Sequence, residues 1–120
     1  MTLTKNGLGE IIAATASTAT TITGTKVVSD KNIYIRGLLI HNTSTSTSQT
    51  CAIHVVKNSG GNVGSATSSN RIGRLTLSAS DTAFFEFPYP LTLIDTNDCI
   101  IVDNSSGSTV NVLPIGDVEA

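Results

Sequence analysis

The chain has 120 residues, enough for one hydrophobic core and too few for two comfortable ones, and it reads as a single domain. Hydrophobic residues make up 39% and the formal net charge is -2, which excludes a chain held open by its own charge; seven basic residues scattered through a sequence of pI near 5.5 leave no cationic footprint for nucleic acid. No segment approaches the roughly 20 apolar residues of a membrane helix, and the N-terminus lacks the basic and apolar regions of a secretion signal, so no membrane association and synthesis in the cytoplasm are expected.

Serine and threonine fill 32 of the 120 positions, while Trp is absent and Phe and Tyr together number five, so Ile, Val and Leu must supply the buried area. Branched side chains pack well on a pleated surface, which points to strands. Residues 1–24 open with Asn6-Gly7 and Gly9. The Thr-rich stretch from Leu8 to Ala19 disfavours a helix, and the segment is predicted to be an extended arm with a possible first strand. Ile11, Ile12 and Ile22 are its apolar anchors for assembly with a neighbouring subunit.

The strongest strand runs from Ile33 to His41. Alternation predicts Ile33, Ile35 and Leu39 on one face and Tyr34, Leu38 and Ile40 on the other, with Gly37 marking a bend, bulge or close approach. Both faces carry apolar residues, so one is expected under the opposing sheet and the other under an arm or partner. After a polar connection from Asn42 to Gln49, Cys51–Val56 forms a strand with Cys51, Ile53 and Val55 on one face; Asn58–Asn62 supplies a turn, and the chain to Asn70 reads as a long exposed loop. Ile72–Leu77 and Ala83–Phe87 follow, with Phe85 and Phe87 on one face and Phe84 and Glu86 on the other. Pro88-Tyr89-Pro90 lacks two backbone donors and belongs at a rim or edge. Cys99–Val102, a turn over Asn104–Ser108 and Val110–Ile115 complete the set. Seven or eight short strands at this spacing predict an all-β fold, an antiparallel β-sandwich of jelly-roll type over 25–120, with a core of Ile35, Leu39, Ile53, Val55, Leu75, Phe85, Phe87, Ile101 and Val112.

No motif carries obvious chemistry. His41 and His54 have no ligand-like spacing to Cys51 or Cys99, and HExxH, CxxC, a nucleophile elbow and a phosphate loop are all missing, so catalytic, metal and cofactor residues are predicted as none. Cys51 and Cys99 lie inside strands and read as buried thiols. Asp95, Asp98 and Asp103 cluster in sequence, but flanking a turn and ending a strand is what loop solvation requires; a weak cation site is the alternative. Tyr89, between its prolines and near polar turns, is the candidate exposed contact, for a partner or for a sugar.

The series Asn6-Gly7-Leu8-Gly9, Tyr34-Ile35-Arg36-Gly37-Leu38, Ile40-His41-Asn42, His54-Val55-Val56 and Val112-Leu113-Pro114-Ile115-Gly116-Asp117 resembles small virion structural proteins of tailed bacteriophages. The resemblance implies a β-sandwich made in the host cytoplasm and located in the virion, without enzyme activity or cofactor. It further implies a homo-oligomer bound to phage capsid protein as a head decoration or cement subunit, or a neck, tail or fibre-adaptor component. A neutral hydroxyl-rich surface suits many weak contacts summed over repeated subunits. A carbohydrate-binding attachment module is the reading from a different functional class.

Overall fold

The computed structural model describes residues 3–7, 11–15, 19–22, 27, 31–104 and 109–119. These form nine strands: β1 (Leu3–Gly7), β2 (Ile12–Ala14), β3 (Ala19–Thr21), β4 (Ile33–Asn42), β5 (Gln49–Val56), β6 (Arg71–Leu77), β7 (Thr82–Leu93), β8 (Cys99–Asn104) and β9 (Val110–Glu119). The turn Asn104–Ser108 expected from the sequence falls largely outside the described residues.

Every pairing is antiparallel, and the order follows one rule. The chain doubles back at the β5–β6 connection, so β5 pairs with β6, β4 with β7, β3 with β8 and β2 with β9. This long double ribbon is then rolled so that β4 meets β9 and β5 meets β8. The result is one sheet ordered β1-β9-β4-β7, with β2 also on β9, and a second ordered β3-β8-β5-β6. A five-stranded and a four-stranded sheet wound in this way, with β2-β9-β4-β7 facing β3-β8-β5-β6, are a jelly roll.

The interior is aliphatic. Ile22, Ile35, Leu38, Ile40, Ile53, Leu93, Ile100 and Val102 are fully buried between the sheets, with Phe85 and Phe87 packed at the flank, their rings edge to face at 5.5 Å. Of the predicted core, Ile35, Ile53 and Val112 are buried there, and Val55, Leu75, Phe85 and Phe87 are half-buried against it. Two assignments differ. Leu39 is 38% exposed, and Ile101 is buried on the outer side of the second sheet in a separate cluster with Val56 and Cys99.

Leu39 turns outward because β4 carries an extra residue. Ile35 pairs with Gly116 and Gly37 with Ile115, so Arg36 has no opposite number on β9, and on β7 the same step spans Glu86 to Leu91. A bulge of one residue reverses the alternation beyond it. Ile33 and Ile35 point inward before it, and Leu38, Ile40 and Asn42 after it. Gly37 is required here: a Cβ would lie 2.6 Å from Phe84 Cε1 and 2.9 Å from the Phe85 carbonyl oxygen.

The segment 1–24, expected as an arm reaching a neighbour, supplies β1 and β2 to the first sheet and β3 to the second within its own sandwich. Ile22 and Ala14 are fully buried and Ile12 packs on the core, whereas Ile11 is 62% exposed. Ile12, Ala14 and Ile22 thus satisfy their burial in cis. On the opposite side both sheets end in irregular edges. β7 bows outward over Phe87–Pro90, where Pro88 and Pro90 have no N–H, and β6 carries Arg71 and Arg74 with a register shift beside His54.

The bulge gives a direct test. Leu38→Ala empties a fully buried site and is expected to cost about 2–5 kcal/mol, while Leu39→Ala costs under about 1 kcal/mol. Chemical denaturation of the two variants measures the difference; equal losses would contradict the inward and outward assignment.

Candidate functional site

The outer face of the first sheet divides along the strands. In register across it, Phe84 on β7 stands beside Leu39 on β4, and Leu39 beside Leu113 on β9. Ile11, preceding β2, continues the row, and Ile115 lies next to it. Phe84 is 49% exposed with its ring laid across Gly37. Between Ile11, Leu39, Leu113, His41 and Asn111 the face dips into an open hollow of ≈ 200 Å³. Apolar side chains thus cross a solvent-facing sheet on three adjacent strands and the segment beside them, a pattern that marks interaction surfaces more than scattered exposure does.

Polar groups bound this row at both ends. At one end His41 Nδ1 and Thr82 Oγ1 lie 2.8 Å apart, joining β4 to β7. At the other, Arg36 Nε and Nη2 each donate to Asp117 Oδ2 at 3.4 Å, and Glu119 accepts from the Asn32 backbone N–H at 2.9 Å and from the Tyr34 hydroxyl at 3.3 Å. Glu86, on the same face of β7, makes no ion pair among the described residues. Sequence reasoning placed Leu39 inside; the signal that could have found the row is Gly37 itself, since a bulge there puts Leu39 and His41 on the outer face.

The outer face of the second sheet is closed by the chain's own connection, residues 57–70. The sequence reading of an exposed loop holds for most of its side chains, but Ala66 seals the cluster of Val56, Cys99 and Ile101. Its tip is a tight reversal: Ser59 and Asn62 exchange backbone hydrogen bonds at 2.8 and 3.1 Å around Gly60 and Gly61, both at positive φ. Asp98, fully buried, anchors the base. It accepts from the Asn58 backbone N–H at 2.9 Å, from Lys57 Nζ at 3.0 Å and from the Asp95 backbone N–H at 3.1 Å.

His54 pins the far end. Asn70 Oδ1 accepts from the Thr67 N–H and its Nδ2 donates to the Ser65 carbonyl, both at 2.8 Å, which fixes the amide orientation. His54 Nδ1, 3.1 Å from Thr67 O and from Asn70 Oδ1, therefore faces two acceptors and is the donor. Its Nε2 is buried without a hydrogen bond, and Asp103 Oδ2 at 3.5 Å offers only an ion-pair contact to a doubly protonated ring.

The three aspartates thus part company. Asp95 is exposed, Asp98 is buried and bonded, and Asp103 lies beside His54; no group of three or more His, Cys, Asp or Glu side chains suited to a metal ion occurs among the described residues. Cys51 faces the main core opposite Asn104, and Cys99 lies opposite Val56 at the other end of the same ladder; both are fully buried and neither is in a disulfide. Burial pushes the Cys51 thiol up to about 11, so it is protonated at neutral pH. Tyr89 is 86% exposed on the bowed edge of β7. No family model, curated protein or solved structure matches this chain.

Burial pushes the Asp98 carboxyl up, but the bonds from Asn58, Lys57 and Asp95 outweigh it and hold the group below its ordinary value. A carboxyl lowered in the folded chain stays charged where the unfolded chain binds a proton, so acid favours unfolding. Asp98→Asn is expected to cost roughly 1–3 kcal/mol near neutral pH, and its deficit against the parent should shrink as pH falls below about 4. Denaturation at several pH values checks both; a deficit unchanged by acid would contradict the role given to the charge. A thiol reagent should label neither cysteine in the native chain and both in denaturant, read by mass spectrometry.

Proposed function

We propose that this chain is a non-enzymatic structural subunit of a tailed-phage virion, most specifically a capsid decoration or cement protein. The observation that carries the reading is the apolar row Phe84, Leu39, Leu113 and Ile11 on a solvent-facing sheet. A jelly roll that acts alone gains nothing by presenting such a row, whereas a subunit that clamps others gains a dry contact at the centre of a polar, hydroxyl-rich rim. The resemblance of its sequence segments to small virion proteins supports the same assignment, and an interior lined by aliphatic side chains leaves the molecule's specificity to its surface. A neck, tail or fibre-adaptor position uses the same surface in a ring instead of a lattice.

A second reading rests on Tyr89. An aromatic ring that is 86% exposed between two prolines is a rigid platform for a sugar face, as in an attachment module.

Imaging of intact particles at a resolution that traces this chain tests the assignment. Density at regular lattice junctions of the head is expected; density confined to the portal or tail axis moves the protein to the neck or tail, and its absence from particles rejects a virion role. In a glycan screen the isolated protein is expected to show no saturable binding at millimolar ligand. Saturable binding lost in Tyr89→Ala would instead favour the attachment module.

A further inference from the structure

We infer that His54 Nε2 and Asp103 Oδ2 are two ligands of a site for one divalent cation of the zinc type, at the junction of β5, β8 and the 57–70 connection. The inference goes beyond the structural role proposed above and does not depend on it.

The tautomer of His54 comes first. Its Nδ1 is the donor, held between the Thr67 carbonyl and Asn70 Oδ1, and the Asn70 amide is itself oriented by the Thr67 N–H and the Ser65 carbonyl. A neutral imidazole carries one proton, so its lone pair lies on Nε2. A histidine that ligates a metal has this arrangement: one ring N–H is given to a carbonyl, which leaves the other nitrogen for the ion. Buried polar atoms nearly always find a partner, and Nε2 is the single buried side-chain nitrogen or oxygen without a hydrogen bond among the described residues.

Asp103 supplies the second ligand. On the ladder of β5 and β8, His54 stands opposite Ile101 and Ala52 opposite Asp103, so His54 and Asp103 are diagonal neighbours on the outer face of the second sheet. Their Nε2 and Oδ2 atoms lie 3.5 Å apart. A tetrahedral zinc ion, with nitrogen at about 2.0–2.1 Å and oxygen at about 2.0–2.2 Å, separates two such ligands by about 3.3–3.5 Å. The two atoms therefore already span one edge of the coordination tetrahedron. The carboxylate is not committed elsewhere: Arg71 faces His54 and Arg74 faces Ala52 on β6, yet neither forms an ion pair with Asp103 among the described residues.

The surroundings select the kind of ion and the strength of the site. An imidazole nitrogen suits zinc, nickel and copper, whereas magnesium and calcium take oxygen ligands. The His54 side chain is 4% exposed and that of Asp103 42%, so an ion reaches Nε2 past the carboxylate, and its remaining two positions are open to water. No third His, Cys, Asp or Glu joins the pair among the described residues, so the ion is exchangeable, unlike one enclosed by four protein ligands. Once bound, it ties β8 to β5. Because the other ring nitrogen holds Thr67 and Asn70, it also steadies the connection that closes over Val56, Cys99 and Ile101.

Calorimetric titration of the metal-free full chain with zinc chloride at neutral pH tests the inference. One zinc ion per chain is expected, with a dissociation constant below about 100 μM, while magnesium gives no saturable heat. His54→Gln and Asp103→Asn are each expected to weaken zinc binding at least about 10-fold. Asp103 is partly exposed, so Asp103→Asn should keep the thermal midpoint of the metal-free chain within a few degrees, which separates loss of a ligand from loss of the fold. Long-range ¹H–¹⁵N spectra locate the ion: zinc should shift His54 Nε2 while Nδ1 stays protonated, and His41, the only other histidine, should be unchanged. A dissociation constant above about 100 μM, binding that Asp103→Asn leaves intact, or a zinc-induced shift at His41 in place of His54 would overturn the inference.

Discussion

Arg36 is the residue on which the two faces of the molecule turn. It occupies β4 without an opposite number on β9, and by taking one extra place it reverses the direction of every side chain that follows in the central strand of the first sheet. Leu38, Ile40 and Asn42 enter the sandwich as a consequence; Leu39 and His41 leave it. Had the strand run regularly, Asn42 would face solvent and the end of the sandwich would lose the side chain that holds it. The bulge couples interior to exterior, because the atoms that fill the core and those that stand on the surface are assigned by the same backbone step.

At each end of the sandwich a buried polar side chain gathers the loops. Asn42 donates to the carbonyls of Thr47, Leu77 and Ser78 and accepts from the Ser44 N–H, gathering the 43–48 connection and the β6–β7 turn. Asp98 does the corresponding work at the far end with donors from residues 57, 58 and 95. Loops rich in serine and threonine have no apolar surface with which to hold themselves, so their order depends on acceptors and donors placed where water cannot compete. The aliphatic core supplies the driving force for collapse, and these two residues, with His54 and Asn70 in the 57–70 connection, set the loop geometry that the collapse retains.

The strand content was legible because it rests on local signals: branched residues in short alternating runs, with Gly, Pro, Asn and Asp between them. The segment Ile33–His41 and the turn at Asn58–Asn62 fall where those signals put them. What escaped is non-local. A period-two reading assigns Leu39 inward, since nothing in the spacing of Ile33, Ile35 and Leu39 reveals the extra residue except Gly37, which signals a bend, bulge or close approach without telling which. The Ile and Ala residues of 1–24 looked like anchors for a neighbour because a short Thr-rich stretch cannot form structure alone; that β9 and β8 offer it ladders within the same chain is a fact of topology. The cluster of Val56, Cys99 and Ile101 was invisible for a related reason, as a polar loop such as 57–70 gives no sign that Ala66 will close a second, smaller interior. The hydrogen-bond partners of His54 lie in that same loop and could not be named from the sequence.

The edge strands β6 and β7 bear on how the protein behaves at high concentration. An exposed strand edge is an unfinished ladder, and identical chains crowded together can complete one another's ladders without limit, as amyloid does. Here β7 bows away from straightness where Pro88 and Pro90 offer no donor, and β6 carries Arg71 and Arg74 beside its own irregularity. A ladder added on this side meets missing donors and an irregular register before any side chain chooses a partner. Among the sheet edges this is therefore the side on which crowded copies are least able to extend one another's ladders.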